Sequence, residues 1–252
     1  MSPEPELHKP RLLETVEGNV SIKMKLFSPD TQWIKQKISE TGCPIFSIFL
    51  PGHEVVSELI ILNKGNGMEL DLVKYLSDEI DLIRYNEDNP DLYEDFIRET
   101  GVEGSEESRI WMNHFLNQDT SMPKARSIQI GRIPTISSLV SALHEMNHVK
   151  LEHVINHDIS CFEGVMQIFF DENEASNQAM EDFVEIVSLL GLESDCLHRA
   201  KRTLDAFFYT YIVSYESIFG EGRFDKVRVL DLTEEDKKVI REMVDWISKK
   251  YT

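Results

Sequence analysis

The chain has 252 residues, 41% of them hydrophobic and 28% charged, with a formal net charge of −19 at pH 7. That length and apolar share suffice for a buried core in one domain or two lobes, whereas a surface so acidic repels phosphates and sets the chain against direct nucleic-acid binding. Cys43, Cys161 and Cys196 are widely spaced and form no C-x-x-C pair, which excludes a disulfide framework and a thiolate-held zinc as first readings.

Residues 1–18 read as a loose tail. The first ten are polar and proline-rich with no apolar run, so no classical secretion signal is expected and the cytoplasm is the expected location, with non-classical secretion left open. No apolar run approaches a bilayer span, so no membrane partner is expected. Residues 20–27, with Ile22, Met24 and Leu26 alternating, read as a strand. Residues 44–50 and 55–62 flank Pro51-Gly52-His53 and read as a hairpin. Helical patterns follow at 70–85, 92–99 and 106–116, separated by acidic loops around Asn86–Asp91 and Glu103–Glu107. Residues 127–133 return to a strand pattern. If Ser127-Ile128-Gln129-Ile130 is a sheet edge, an extended peptide can add to it as a further strand.

The next helical pattern, 135–154, carries the most informative residues of the chain. Pro134 precedes it, Thr135 or Ser137 can cap it, and Ile136, Leu139, Val140, Leu143, Met146 and Val149 recur at close to helical spacing. Within it His144-Glu145-Met146-Asn147-His148 reads H-E-x-x-H. Residues four apart on a helix project from nearly the same side, so His144 and His148 can share one metal ion. Glu145 then sits beside the metal's open position, where it can act as base toward a bound water. The alternative is an amphipathic surface helix with two solvated histidines.

A catalytic zinc site needs a third protein ligand. His153 follows His148 by about 500° of helical rotation, so it approaches the metal only if the helix stops after His148. The intervening Val149-Lys150-Leu151-Glu152 contains no breaker, which makes His153 a helix-surface residue or a neighbour of a ligand. His157 belongs to the turn that follows. The stronger candidate is Glu174 on the next helix, expected over 172–190. Small Ala175 and Ala179 let that helix come close, and Glu174 beside them can point a carboxylate at the histidines. Glu172 can serve instead if the helix starts a little later, and Glu181 is a further choice. Alternatively, Asp171, Glu172 and Glu174 form an acidic first turn that complements the helix dipole.

H-E-x-x-H followed by a helix with a glutamate ligand is the plan of the gluzincin metallopeptidases. The two segments His144–His148 and Glu174-Ala175-Ser176-Asn177-Gln178-Ala179 together resemble the ImmA/IrrE family, whose members combine H-E-L-G-H with a later E-A-N-x-F-A. The resemblance spans Leu139 to Val184, and implies His144, His148 and Glu174 as ligands of one zinc ion per chain and Glu145 as catalytic base. It implies a protein substrate without saying which. Asn147, Ser176 and Gln178 stand where the family carries Gly, Asn and Phe, and a histidine common soon after the motif is displaced to His153.

The remaining chain is helical, at 195–219 and 233–249, the last opened by a capping pattern at Thr233–Asp236. Tyr209, Tyr211, Tyr215 or His198 can stabilise an oxyanion, although aromatic residues also fill helix interfaces without any catalytic role. The expected fold class is α+β and zincin-like. A small twisted sheet packs on the motif helix in a single domain over 19–252, with a sheet lobe over about 19–158 and a helical lobe over about 165–252. The expected function is a zinc-dependent endopeptidase (a hydrolase) acting on a protein or peptide. Its acidic surface suits a basic partner, and also reads as an ordinary solvated face. Two alternatives are a zincin-fold binding or regulatory protein without efficient turnover, and an α+β interaction protein in which the motif is accidental.

Overall fold

The computed structural model describes residues 10–30, 54–76, 82–85, 92–105, 127–130, 134–151, 157–220, 222–224 and 231–251, with isolated positions 32, 33, 36, 39 and 153. The strand expected at 44–50, its turn at Pro51-Gly52-His53, the helix expected at 106–116 and the acidic loop at 86–91 lie outside the described residues. The architecture is α+β, and the chain divides into two compact units, Met1–Asp88 with Lys124–Thr135 and Ser188–Leu192 in one, and Asn89–Pro123 with Ile136–Val187 and Glu193–Thr252 in the other.

The first unit is built on a sheet of strands β1 (Arg11–Glu17), β2 (Val20–Phe27), β3 (Glu54–Asn63), β4 (Met68–Asp71), β5 (Leu82–Tyr85) and β6 (Ser127–Ile130). The order is β1-β2-β3-β5-β6, with β4 also paired to β3. Strand β2 buries Val20, Ile22, Met24 and Leu26, the alternation its sequence predicts. A register shift between Lys25 and Leu26 accompanies two consecutive buried residues on β3, Val55 and Val56, which a regular strand would send to opposite faces. Strand β6 pairs only with β5, in parallel, and lies at the end of the sheet order among the described residues.

Two expectations are corrected here. The tail expected over 1–18 is strand β1 from Arg11 onward, antiparallel to β2 across a turn at Gly18-Asn19, where Gly18 takes φ 58°. Its pattern concealed it, because the apolar Leu12 and Val16 face outward, 63% and 50% exposed. The helix expected over 70–85 is instead strand β4, a single turn α1 (Leu72–Tyr75), and strand β5. Pairing overrides helical propensity there. Ile60–Asn63 of β3 take Met68–Asp71 as an antiparallel partner, and the Asp71 side chain accepts from the Val73 N–H at 3.2 Å to start the short helix.

The second unit contains α2 (Leu92–Thr100), α3 (Ile136–Lys150), α4 (Phe162–Leu190, its last turn counted with the first unit), α5 (Ser194–Phe219) and α6 (Glu234–Tyr251). Its core gathers Phe96, Val165, Phe169, Phe208, Phe224, Ile240 and Met243. Thr233 and Asp236 cap α6 reciprocally, with Asp236 N–H donating to Thr233 Oγ1 at 3.1 Å and Thr233 N–H to Asp236 Oδ2 at 3.1 Å. The motif helix α3 falls in this helical unit, not in a sheet lobe reaching to 158. The reason is packing, since α3 is buried on nearly every side over its first three turns and lies against α5. Among the described residues no helix is long and apolar enough to cross a membrane.

Candidate metal centre

Helix α3 is buried from Ile136 to Asn147 except at Glu145, so its polar side chains must find partners inside the protein. Ser141 Oγ donates to the Ser137 carbonyl at 2.9 Å, and Thr203 Oγ1 of α5 donates to Ser137 Oγ at 3.0 Å. Asn147 Nδ2 donates to the Leu143 carbonyl and to Asp182 Oδ2 of α4, both at 2.9 Å. One turn beyond Thr203, Phe207 stacks on the His144 ring, with centroids 5.8 Å apart and planes 16° apart. Packing and hydrogen bonds therefore clamp the helix that carries the motif.

His144 is 2% exposed. Its Nε2 lies 3.0 Å from His148 Nε2 and 3.0 Å from Glu172 Oε2, and His148 Nε2 lies 3.5 Å from Glu172 Oε1. The opposite ring nitrogens point away from this meeting place, His144 Nδ1 to Ser176 Oγ at 3.3 Å and His148 Nδ1 to His153 Nδ1 at 2.9 Å. One donor atom from each of His144, His148 and Glu172 falls within 4.8 Å of the others. Ligands of a tetrahedral zinc at roughly 2.0–2.1 Å stand roughly 3.3 Å from one another, so two imidazoles and a carboxylate at these separations fit that ion in number, type and spacing.

Electrostatics agree with the geometry. Burial favours the neutral form of His148, but the charge and hydrogen bond of Glu172, aided by Glu145 and Asp171, outweigh it and raise its pKa to about 9. Burial likewise opposes ionisation of Glu172, and the nearby His148 charge with hydrogen bonds from both histidines holds its carboxyl well below the ordinary range. The ionised form of a buried carboxylate is thus favoured by two histidine rings, and His148 holds its proton against it until a cation takes that place. Among the described residues this is the one grouping of at least three metal-ligating side chains.

The carboxylate that meets the two histidines is thus Glu172, whereas Glu174, the residue favoured from spacing, is 65% exposed and faces His153, with Glu174 Oε2 at 3.3 Å from His153 Nε2. Glu172 faces inward although α4 starts at Phe162, ten residues before the expected start and not later, because the phase of the helix decides which side chains face the histidines. Its buried stripe runs Val165, Phe169, Glu172, Ser176, Ala179 and Phe183, and Glu174 stands about 200° of rotation from Glu172. Ala175 and Ala179 did mark the inward face, and Glu172 precedes them by three and seven residues, a signal that would have found it. Glu181 sits by Gln178 Nε2 at 3.4 Å, away from the triad.

His153 packs on His148, although the helix does not run on to it as the absence of a breaker suggested. Helix α3 ends at Lys150, and the His153 N–H closes back onto the His148 carbonyl at 3.1 Å, which swings the His153 ring onto His148. His157 lies in the connection beyond, 2.7 Å from Asp171 Oδ2 through its Nε2. Glu145 is half-buried, and its charge acts on both His148 and Tyr211.

The four candidates for stabilising an oxyanion separate cleanly. Thr203 and Phe207 of α5 meet α3 at Ser137 and His144, whereas Tyr211 and Tyr215, one and two turns further on, meet α4 at Glu172 and Phe169. Burial, with the charges of Glu172 and Glu145 and a hydrogen bond to Glu172, raises the Tyr211 phenol well above its ordinary pKa; burial and Glu172 raise Tyr215 too. Tyr209 turns elsewhere and holds the Arg241 guanidinium over its ring at 5.4 Å. His198 acts on Asp231. Compared with known proteins, the chain matches no family model, no curated protein and no solved structure.

Proposed function

We propose that the protein is a zinc-dependent endopeptidase of gluzincin type, with His144, His148 and Glu172 holding one zinc ion and Glu145 as the general base. The observation that carries this reading is the convergence within 4.8 Å of donor atoms from His144 and His148 of α3, the helix that also presents Glu145, and from Glu172 of α4. Zinc in such a site brings a bound water to a pKa of roughly 7 and polarises a carbonyl oxygen. Glu145 takes the proton from the attacking water and returns it to the departing amine, a transfer suited to a half-buried carboxylate one residue from a ligand. Tyr211, whose hydroxyl hydrogen-bonds Glu172, would turn that one proton to negative charge that develops on the carbonyl oxygen.

The substrate is a protein or peptide, the class whose carbonyl this chemistry attacks. Of the ImmA/IrrE resemblance only the H-E-x-x-H segment, His144, Glu145 and His148, supports this reading, since the later segment is aligned on Glu174 and the carboxylate at the histidines is Glu172. The deciding experiment compares partners captured from cell extract by the wild type and by Glu145→Gln, which keeps size and hydrogen bonding but cannot accept the proton. The variant retains uncut proteins that the wild type cleaves, with turnover lower by at least roughly 10²-fold. Capture of the same uncut partners by both forms, with no cleavage at any enzyme concentration, would leave a metal-holding binding protein.

A further inference from the structure

Glu174 ends a line of three side chains that begins at His148. His148 Nδ1 lies 2.9 Å from His153 Nδ1, and His153 Nε2 lies 3.3 Å from Glu174 Oε2. Each imidazole in this line touches its neighbours through opposite nitrogens. The geometry permits one consistent arrangement of protons once His148 offers its Nε2 lone pair to a cation, because its remaining proton then sits on Nδ1 and must be donated to His153 Nδ1. His153, accepting there, carries its own proton on Nε2 and donates it to the Glu174 carboxylate. The reverse arrangement fails at the first contact, since two protonated Nδ1 atoms cannot share a hydrogen bond.

We propose that His153 and Glu174 are positioning residues that fix the tautomer and ring orientation of the ligand His148, an inference that rests on the metal reading above. His153 is held for this by its own backbone, whose N–H bonds the His148 carbonyl at 3.1 Å, so main chain and ring close on the same residue. The His153 side chain is 9% exposed and Glu174 is 65% exposed. The inner contact is shielded from water and carries most of the effect, while the outer one is solvated and sets only the His153 tautomer. His144 has the equivalent anchor in Ser176 Oγ at 3.3 Å from its Nδ1. Both ligand rings therefore present Nε2 inward and tie down Nδ1 on the outside, the arrangement by which proteins orient metal-binding histidines.

The test measures zinc affinity of the purified full chain by chelator competition, together with imidazole proton spectra of the zinc-loaded protein labelled with 15N at histidine. His153→Leu keeps bulk but accepts no hydrogen bond, and should weaken zinc roughly 10- to 100-fold. His153→Asn, whose amide oxygen can accept in place of Nδ1, should recover most of that loss. The His148 Nδ1 proton should be sharp and exchange-protected in wild type and His153→Asn, and broadened by exchange in His153→Leu. Glu174→Ala, at an exposed position where folding is not at stake, should cost less than about tenfold. Unchanged affinity and an unchanged Nδ1 signal in His153→Leu would overturn the proposal with the metal reading intact. Loss of all zinc in Glu174→Ala would also overturn it, by making Glu174 a ligand. A wild type that binds no zinc would instead remove the metal reading and this inference with it.

Discussion

Replacing Glu172 by glutamine separates the two carboxylates that the chain offers to its histidines. The substitution keeps the volume of a buried side chain and removes only its charge, so the site loses its anionic ligand without gaining a cavity. Removing one member of a buried, hydrogen-bonded charge set costs roughly 3–5 kcal/mol, because the remaining charge is left uncompensated. At about 1.4 kcal/mol per tenfold in a dissociation constant, Glu172→Gln should weaken zinc binding by roughly 100- to 4,000-fold. The same change at Glu174, which is 65% exposed, removes a solvated contact worth roughly 0–1 kcal/mol, or at most about fivefold. The assay is competition for zinc against a chromogenic chelator at neutral pH, on both variants and the wild type. If Glu174→Gln weakened zinc as much as or more than Glu172→Gln, the assignment of the third ligand from the geometry would be wrong.

Zinc affinity should depend on pH in a direction set by His148. In the metal-free protein burial opposes its proton but Glu172 outweighs burial and raises its pKa to about 9, so the ion must displace that proton at neutral pH. Apparent affinity should rise about tenfold per pH unit until about pH 9 and then flatten, and a flat profile between about pH 6 and pH 8 would contradict this. In the first unit, Asn63 donates to the carbonyls of Leu190 at 3.1 Å and Gly191 at 2.9 Å and accepts from Gly65 N–H at 2.9 Å. Asn63→Ala leaves the Leu190 carbonyl to Asn66 Nδ2 alone and removes the side-chain partner of the Gly191 carbonyl and the Gly65 N–H, and should lower the urea midpoint, by a stability loss of roughly 1–3 kcal/mol with unchanged denaturant slope.

The elements legible from sequence were those whose side-chain period matched a single buried face. Strand β2 and helices α2 and α6 are of this kind, and their bounds agree with the expected ones to within a few residues, as do those of α5, which is buried all round from Thr203 to Thr210. The motif helix was legible too, though as a half-exposed amphipathic helix, when it is buried from Ile136 to Asn147 except at Glu145. What sequence could not show depends on pairing at a distance. Strand β1 has a single apolar residue, Leu13, on its inward side, and β4 and β5 are four-residue strands made by β3 and β6 as partners. The start of α4 was hidden by Gly164, a residue unfavourable inside helices. A Cβ there would lie 2.0 Å from the Asp158 carbonyl oxygen, so the glycine admits a close backbone approach without ending the helix. The expectation of Glu174 was an error of helical phase, since Ala175 and Ala179 mark a face on which Glu172, three residues before Ala175, also falls. The role of His153 was hidden similarly, since it comes from a backbone closure onto His148 that no side-chain pattern announces.

The central claim is a zinc ion held by His144, His148 and Glu172 beside an intact base. It is tested most directly by counting zinc per chain in wild type, Glu145→Gln and His148→Ala, purified side by side and dialysed against metal-free buffer at neutral pH. The account predicts about one zinc in the first two and none in the third, as expected when a ligand is lost and a base is not. Zinc at the same level in all three, or in none of them after stoichiometric metal is supplied, would contradict it.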